Sequence, residues 1–197
     1  MKKFVIVAFL AVAIVTSAYA DFLLDVMPFG YTNVSTKLDN HGTKLSINNY
    51  TLGVNLGYIK DGGGFYFLWQ PQIGFGAGKA KNEGISVKGK SFEFKSDLLF
   101  GRGWQVISNL YITAAGGAAL AMDTVVFAED SHGLLISFGI PVQVGVRYYF
   151  TDKIGITGNI NETLAFGIKQ LDAGEAGDRS MGFINNFNMN VGVAFKF

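Results

Sequence analysis

From residue 182 to its end the chain alternates. Phe183, Phe187, Met189, Val191, Val193, Phe195 and Phe197 fall on one side, and Asn186, Asn188, Asn190, Gly192, Ala194 and Lys196 on the other. An apolar residue at every second position marks a β-strand with one greasy face. The period recurs upstream. Between 47 and 59, Tyr50, Leu52, Val54, Leu56 and Tyr58 oppose Asn49, Thr51, Gly53, Asn55 and Gly57. Between 135 and 150, Phe138, Ile140, Val142, Val144, Val146 and Tyr148 oppose Gly139, Gln143, Gly145 and Arg147. Period and turn residues together predict eight strands, at 22–34, 47–59, 64–78, 91–104, 110–124, 135–150, 154–168 and 182–197.

The connections between these strands alternate in length. Residues 35–46, 79–90, 125–134 and 169–181 form long ones; 60–63, 105–109 and 151–153 form short ones. Short turns at one end and long loops at the other is the rule of transmembrane barrels, and it places both termini and the short turns on the periplasmic side. A soluble barrel would show the same alternation turned inside out, with a charged outer face. The eight predicted strands hold only nine charges: Asp25, Glu93, Lys95, Asp97, Arg102, Asp123, Arg147, Glu162 and Lys196. Their polar face is built from Gly, Ala, Asn, Thr and Gln, which suit a narrow interior. The prediction is therefore all-β: an eight-stranded antiparallel up-and-down transmembrane β-barrel spanning 21–197.

Composition sharpens this picture. Hydrophobic residues make up 49% of the chain and charged residues 16%, against about a quarter in an ordinary soluble domain. Residues 1–20 read as a cleavable signal peptide: Lys2 and Lys3, an apolar run from Phe4 to Val15, then small residues closing on Ala18-Tyr19-Ala20. The run is too short for a bilayer-spanning helix, which needs about 20 apolar residues. Without that segment the chain carries 14 basic and 15 acidic residues, so bulk charge points to no nucleic-acid partner. With no cysteine, disulfides, thiol nucleophiles and lipobox lipidation are excluded. No cofactor or metal site is expected.

The terminal alternating strand ending in Phe197, the signal peptide and the loop alternation together resemble the small eight-stranded outer-membrane proteins of the OmpW, OmpX and OmpA-barrel kind. That resemblance implies a cell outer-membrane location, outer-membrane lipid as the surrounding partner, and recognition of the closing strand by the barrel-assembly machinery. The likeness to OmpW implies a narrow conduit for small, hydrophobic solutes. Eight strands enclose a lumen that side chains just fill, which argues against a wide porin channel. The alternative is a barrel-anchored, adhesin-like surface protein whose loops bind a host or matrix molecule.

Candidate residues follow from strand parity. Asp25, Glu93, Lys95, Asp97, Arg147 and Lys196 turn inward as a polar lumen network, since charges in a narrow lumen must pair. Tyr66, Leu68, Leu99 and Ile184 are apolar inward positions that suit a hydrophobic solute. Pro28, Pro71 and Pro141 all fall within strands, where a proline removes a ladder hydrogen bond and implies a bulge, a bend or a lateral opening in the wall. Glu162 shares parity with Ile160 and Leu164 and so faces lipid, either re-aimed by a bulge or serving as a rim group of such an opening. Arg102 also faces outward, close enough to the membrane edge beside Trp104 to snorkel. Tyr58, Phe65, Trp104, Tyr148, Phe150 and Phe197 form a lower interfacial girdle. Lys79, Lys81, Lys88 and Lys90 crowd the 79–90 loop as a basic patch able to attract acidic glycans. Asp130-Ser131-His132 has the residue types of a catalytic triad, but sequence neighbours seldom make one, and no catalytic residues or enzymatic activity are expected.

Overall fold

A computed structural model describes residues 20–37, 43–60, 63–82, 85–128, 131–173 and 178–197. The eight strands are β1 (Ala20–Lys37), β2 (Lys44–Lys60), β3 (Gly63–Asn82), β4 (Ile85–Ile107), β5 (Leu110–Ala128), β6 (Ser131–Tyr149), β7 (Ile154–Ala173) and β8 (Asp178–Lys196). Each pairs antiparallel with its sequence neighbours, and β1 pairs with β8 to close the ring. Closure leaves no unpaired edge, which is what lets a sheet cross lipid. At the seam, Phe22 and Phe197 exchange both backbone hydrogen bonds, at 3.2 and 3.0 Å. The signal-peptide expectation falls on residues 1–20, of which only Ala20 is among the described residues, where it pairs with Lys60.

Parity reads as expected. Phe138, Ile140, Val142, Val144 and Val146 stand exposed on β6 while Gln143 and Arg147 are buried between them. The exposed face is apolar and the buried face polar, the inverse of a soluble barrel, so the outer belt faces lipid. The girdle sits at the lower rim, with Tyr58 against Phe65 at 5.6 Å and Tyr148 against Phe150 at 5.5 Å between ring centroids.

The outer ends differ from expectation. Much of 35–46, 79–90, 125–134 and 169–181 is not loop but paired strand, up to Lys37↔Lys44, Asn82↔Ile85, Ala128↔Ser131 and Leu171↔Asp178. The apolar outward face ends where the bilayer ends, because above it that face meets water; backbone pairing needs no such pattern and continues. The asymmetry between the two ends therefore lies in hairpins that extend beyond the belt, not in loop length.

Candidate functional site: a packed interior and a break in the wall

The inward side chains stack in three layers. Nearest the short turns, Leu23, Ile59, Tyr66, Leu68, Leu99 and Tyr111 belong to one apolar cluster. Towards the extended hairpins, Val34, Leu45, Ile47, Val125, Leu135 and Ile184 belong to another. The expected apolar set thus divides, with Tyr66, Leu68 and Leu99 in the lower cluster and Ile184 in the upper.

Between the clusters lies a buried polar layer. Arg147 bonds Asp25 at 2.7 Å, and Asn55 donates to the same carboxylate oxygen at 2.9 Å. Lys95 pairs with Asp97 at 3.2 Å, which also accepts from Asn161 at 2.8 Å. Glu93 accepts from Asn49 at 3.1 Å and from Asn186 at 3.3 Å. Asn188 donates to Gln72 and Thr32, and Gln143 to Gln70. Amide side chains can donate and accept at once, so they satisfy buried charges where apolar neighbours would leave them costly. Arg147 also lies over the Tyr66 ring, 5.2 Å from its centroid, tying the polar layer to the lower cluster.

Five of the six expected lumen charges, Asp25, Glu93, Lys95, Asp97 and Arg147, occupy this layer. Lys196 does not: it pairs with Asp21 at 3.2 Å, both partly exposed at the lower rim. Sequence reasoning missed Asp123, buried directly opposite Glu93, and Lys169, buried and bonded to the Lys37 carbonyl oxygen. The parity of Asp123 with Ala119, Ala121 and Val125 carried the signal for the first. Nothing carried it for Lys169, which lies beyond the predicted end of its strand.

The prolines do not act alike. Around Pro28 the β1 register slips by one residue against both neighbours, between Met27 and Gly30 towards β2 and between Val26 and Phe29 towards β8. This is a β-bulge, and it leaves two consecutive residues, Pro28 and Phe29, facing out. Beside Pro71 the ladder lapses without slipping, between Gly53↔Gln72 and Leu56↔Trp69. Beside Pro141 it lapses likewise, between Gly116↔Val142 and Ala119↔Gly139.

The Pro28 break opens onto a cavity. It has a volume of about 530 Å³ and is walled by Pro28, Phe29, Tyr31, Tyr50, Leu52, Phe75, Met189 and Val191, with Gly30 and Thr51 as its floor. Gly30 is required there, because a Cβ would overlap Thr51 Oγ1 and Asn190 Oδ1. Those two side chains hydrogen-bond at 3.3 Å inside the barrel. One thickness of backbone thus separates an apolar outer cavity from the polar layer.

Of the residues expected at a wall opening, Pro28 lines this cavity and Pro71, Pro141 and Glu162 do not. Glu162 is not re-aimed by a bulge: it pairs in unbroken register with Val142 and Phe187 and stays exposed on the outer face. The basic loop patch is corrected too. Lys79 and Lys81 lie on β3 and Lys88 and Lys90 on β4, all outward, with Lys79 directly opposite Lys88. Ser131 and His132 begin β6, while Asp130 lies outside the described residues.

A family described as "Domain of unknown function (DUF2715)" matches residues 17–197. No curated protein matches the chain. Among solved structures it resembles the outer-membrane protein OprG from Pseudomonas aeruginosa, at 14% identity and a TM-score of 0.66, covering 91% of this chain and 96% of that one. It resembles the outer-membrane protein AlkL, solved in lipid bilayers, at 15% identity and 0.65, covering 91% and 90%. It also resembles Neisserial surface protein A, at 14% identity and 0.53, covering 90% and 97%. At these identities the likeness establishes the fold, a small eight-stranded outer-membrane barrel.

One expectation is corrected by the same comparison. The chain also resembles the outer-membrane protease OmpT from Escherichia coli, at 11% identity and a TM-score of 0.42, covering 90% and 96%. A likeness that distant assigns no activity to this chain and excludes none, so the expectation of no enzymatic activity is withdrawn.

Proposed function

The chain belongs to the DUF2715 family, whose description names no activity, and we propose that it is an outer-membrane conduit for small apolar solutes that leave sideways through the wall at the β1 bulge. The observation that carries this reading is the apolar cavity of about 530 Å³ beside Pro28. A solute entering between the extended hairpins first meets the upper apolar cluster of Val34, Ile47 and Ile184. Below it the Asp25–Arg147 and Lys95–Asp97 pairs bar the axial route, because an apolar molecule offers nothing to replace their hydrogen bonds. Sideways, between Gly30 of β1 and Asn190 of β8, it reaches the apolar side chains of the cavity and then lipid. Residues 1–20 serve as the export signal, and the closing strand with its terminal Phe197 engages the barrel-assembly machinery.

The reading is tested in cells carrying the barrel in their outer membrane, by the rate at which a small apolar fluorophore reaches the inner lipid phase. Leu52→Trp, which fills the cavity, should cut that rate several-fold, while Val142→Trp on the far wall should leave it unchanged. Equal rates in the two variants would overturn the reading.

A second reading, a barrel-anchored protein that binds a host surface ligand through its hairpins, is favoured by the tightly packed interior together with the extension of four hairpins beyond the belt. Deletion of the β3–β4 hairpin tip with retained solute uptake and lost cell adhesion would favour it.

A further inference from the structure

Six lysines share one face of the outer wall. Lys37 on β1, Lys44 on β2, Lys79 and Lys81 on β3, and Lys88 and Lys90 on β4 all point outward and stand exposed. Pairing sets like charges directly across from one another at Lys37↔Lys44, Lys44↔Lys81 and Lys79↔Lys88. Opposed like charges weaken a sheet, and among the described residues no carboxylate pairs with any of the six. The outer ends of β5 to β8 present a different surface, with Val126, Leu134, Gln170 and Met181 outward and, among the described residues, Arg179 bonded to Gln170.

The height of the six lysines identifies what they meet. On β3 the outward residues run Phe65, Phe67, Trp69, Pro71, Ile73, Phe75 and Ala77 before Lys79; on β4 the belt ends at Phe92 and Lys90 follows. At about 3.3 Å per residue, the span from Phe65 to Phe75 is about 33 Å along the strand, or about 25 Å of height at a typical tilt of about 40°, the thickness of a lipid-facing belt. The lysines therefore begin where the apolar belt stops, in the plane of the outer-leaflet headgroups. Below them the exposed rings of Tyr50 and Phe75, with the half-buried Phe92 against Phe75, offer a surface for acyl chains.

We propose that this lysine face docks the phosphate of an anionic lipid of the outer leaflet, whose acyl chains lie on the aromatic surface beneath. The side chains reach from the wall into the headgroup layer, and the bound phosphates relieve the opposed charges. The proposal is independent of the conduit and stands or falls with the lysines alone.

The test uses the folded barrel in vesicles of phosphatidylcholine containing one tenth dibrominated lipid, reading quenching of the outward Trp69 and Trp104. Brominated phosphatidylglycerol should quench wild type at least two-fold more than brominated phosphatidylcholine. Replacing all six lysines by glutamine should abolish the preference, as should 1 M salt on wild type, where the screening length is about 3 Å. The salt arm holds even where the six-fold variant fails to fold. Replacing Lys60 and Lys153 at the short-turn end should change nothing. Equal quenching by the two lipids in wild type, or a preference that survives both glutamine and salt, overturns the proposal. So does lysine-dependent binding of a soluble sulfated polysaccharide without any lipid preference, which would make the face a glycan site.

Discussion

At the level of Gly30 the two faces of the same wall could hardly differ more. Inward, Thr51, Asn190, Asn49 and Glu93 are buried and joined by hydrogen bonds; outward, Phe29 and Tyr50 are 74% and 80% exposed around an apolar cavity. The inner face spends its chemistry on itself. Buried charges that find partners contribute to holding one arrangement, and each is costly to disturb. The outer face shapes an apolar cavity towards lipid. On the proposed reading, stability and transport reside on opposite sides of one strand, and substitutions should separate them.

The largest separation is expected from Arg147→Ala. Removing the guanidinium leaves Asp25 buried with only Asn55 for company, and such a loss costs about 3–5 kcal/mol, measurable by urea unfolding of the folded barrel in detergent. Apolar-solute uptake per folded molecule should be unchanged, because the Lys95–Asp97 pair and the lower apolar cluster still close the axial route. Gly30→Val should cost about 1–3 kcal/mol through overlap with Thr51 and Asn190, and unlike Arg147→Ala it should also slow uptake. If both variants lose uptake equally, the division between the two faces fails.

Smaller effects probe the rims of the comparison. Glu162→Leu removes a carboxylate from the lipid-facing wall and should raise stability by on the order of 1 kcal/mol, with no effect on uptake, since Glu162 does not line the cavity. Lys196→Ala breaks a pair that is partly exposed at both ends, so the unfolding free energy should fall by less than about 1 kcal/mol. A cost for Lys196→Ala matching that of Arg147→Ala would show that burial does not set these energies.

Much of this was legible in the sequence, for a physical reason: a bilayer imposes period-two alternation and charge exclusion wherever it touches a strand. Strand count, order, facing and five of the six lumen charges followed from that. Where the bilayer ends the constraint ends too, so the extended outer hairpins, the burial of Lys169 and the true place of Lys79 to Lys90 were not legible. The prolines sat between these cases. Each interrupts pairing, as the missing N–H requires, yet only Pro28 shifts register, and a composition of Pro-Phe-Gly does not by itself announce a slip against two neighbours at once.

The central claim is that solute passes through the wall where β1 meets β8 at the bulge. Phe29 and Val191 are direct partners there, and the chain has no cysteine of its own, so Phe29→Cys with Val191→Cys gives a single reversible lock. Uptake of the apolar fluorophore should fall to the level of cells lacking the barrel when the lock is oxidised and return on reduction. Uptake that proceeds at the same rate through the oxidised and reduced forms would contradict the account.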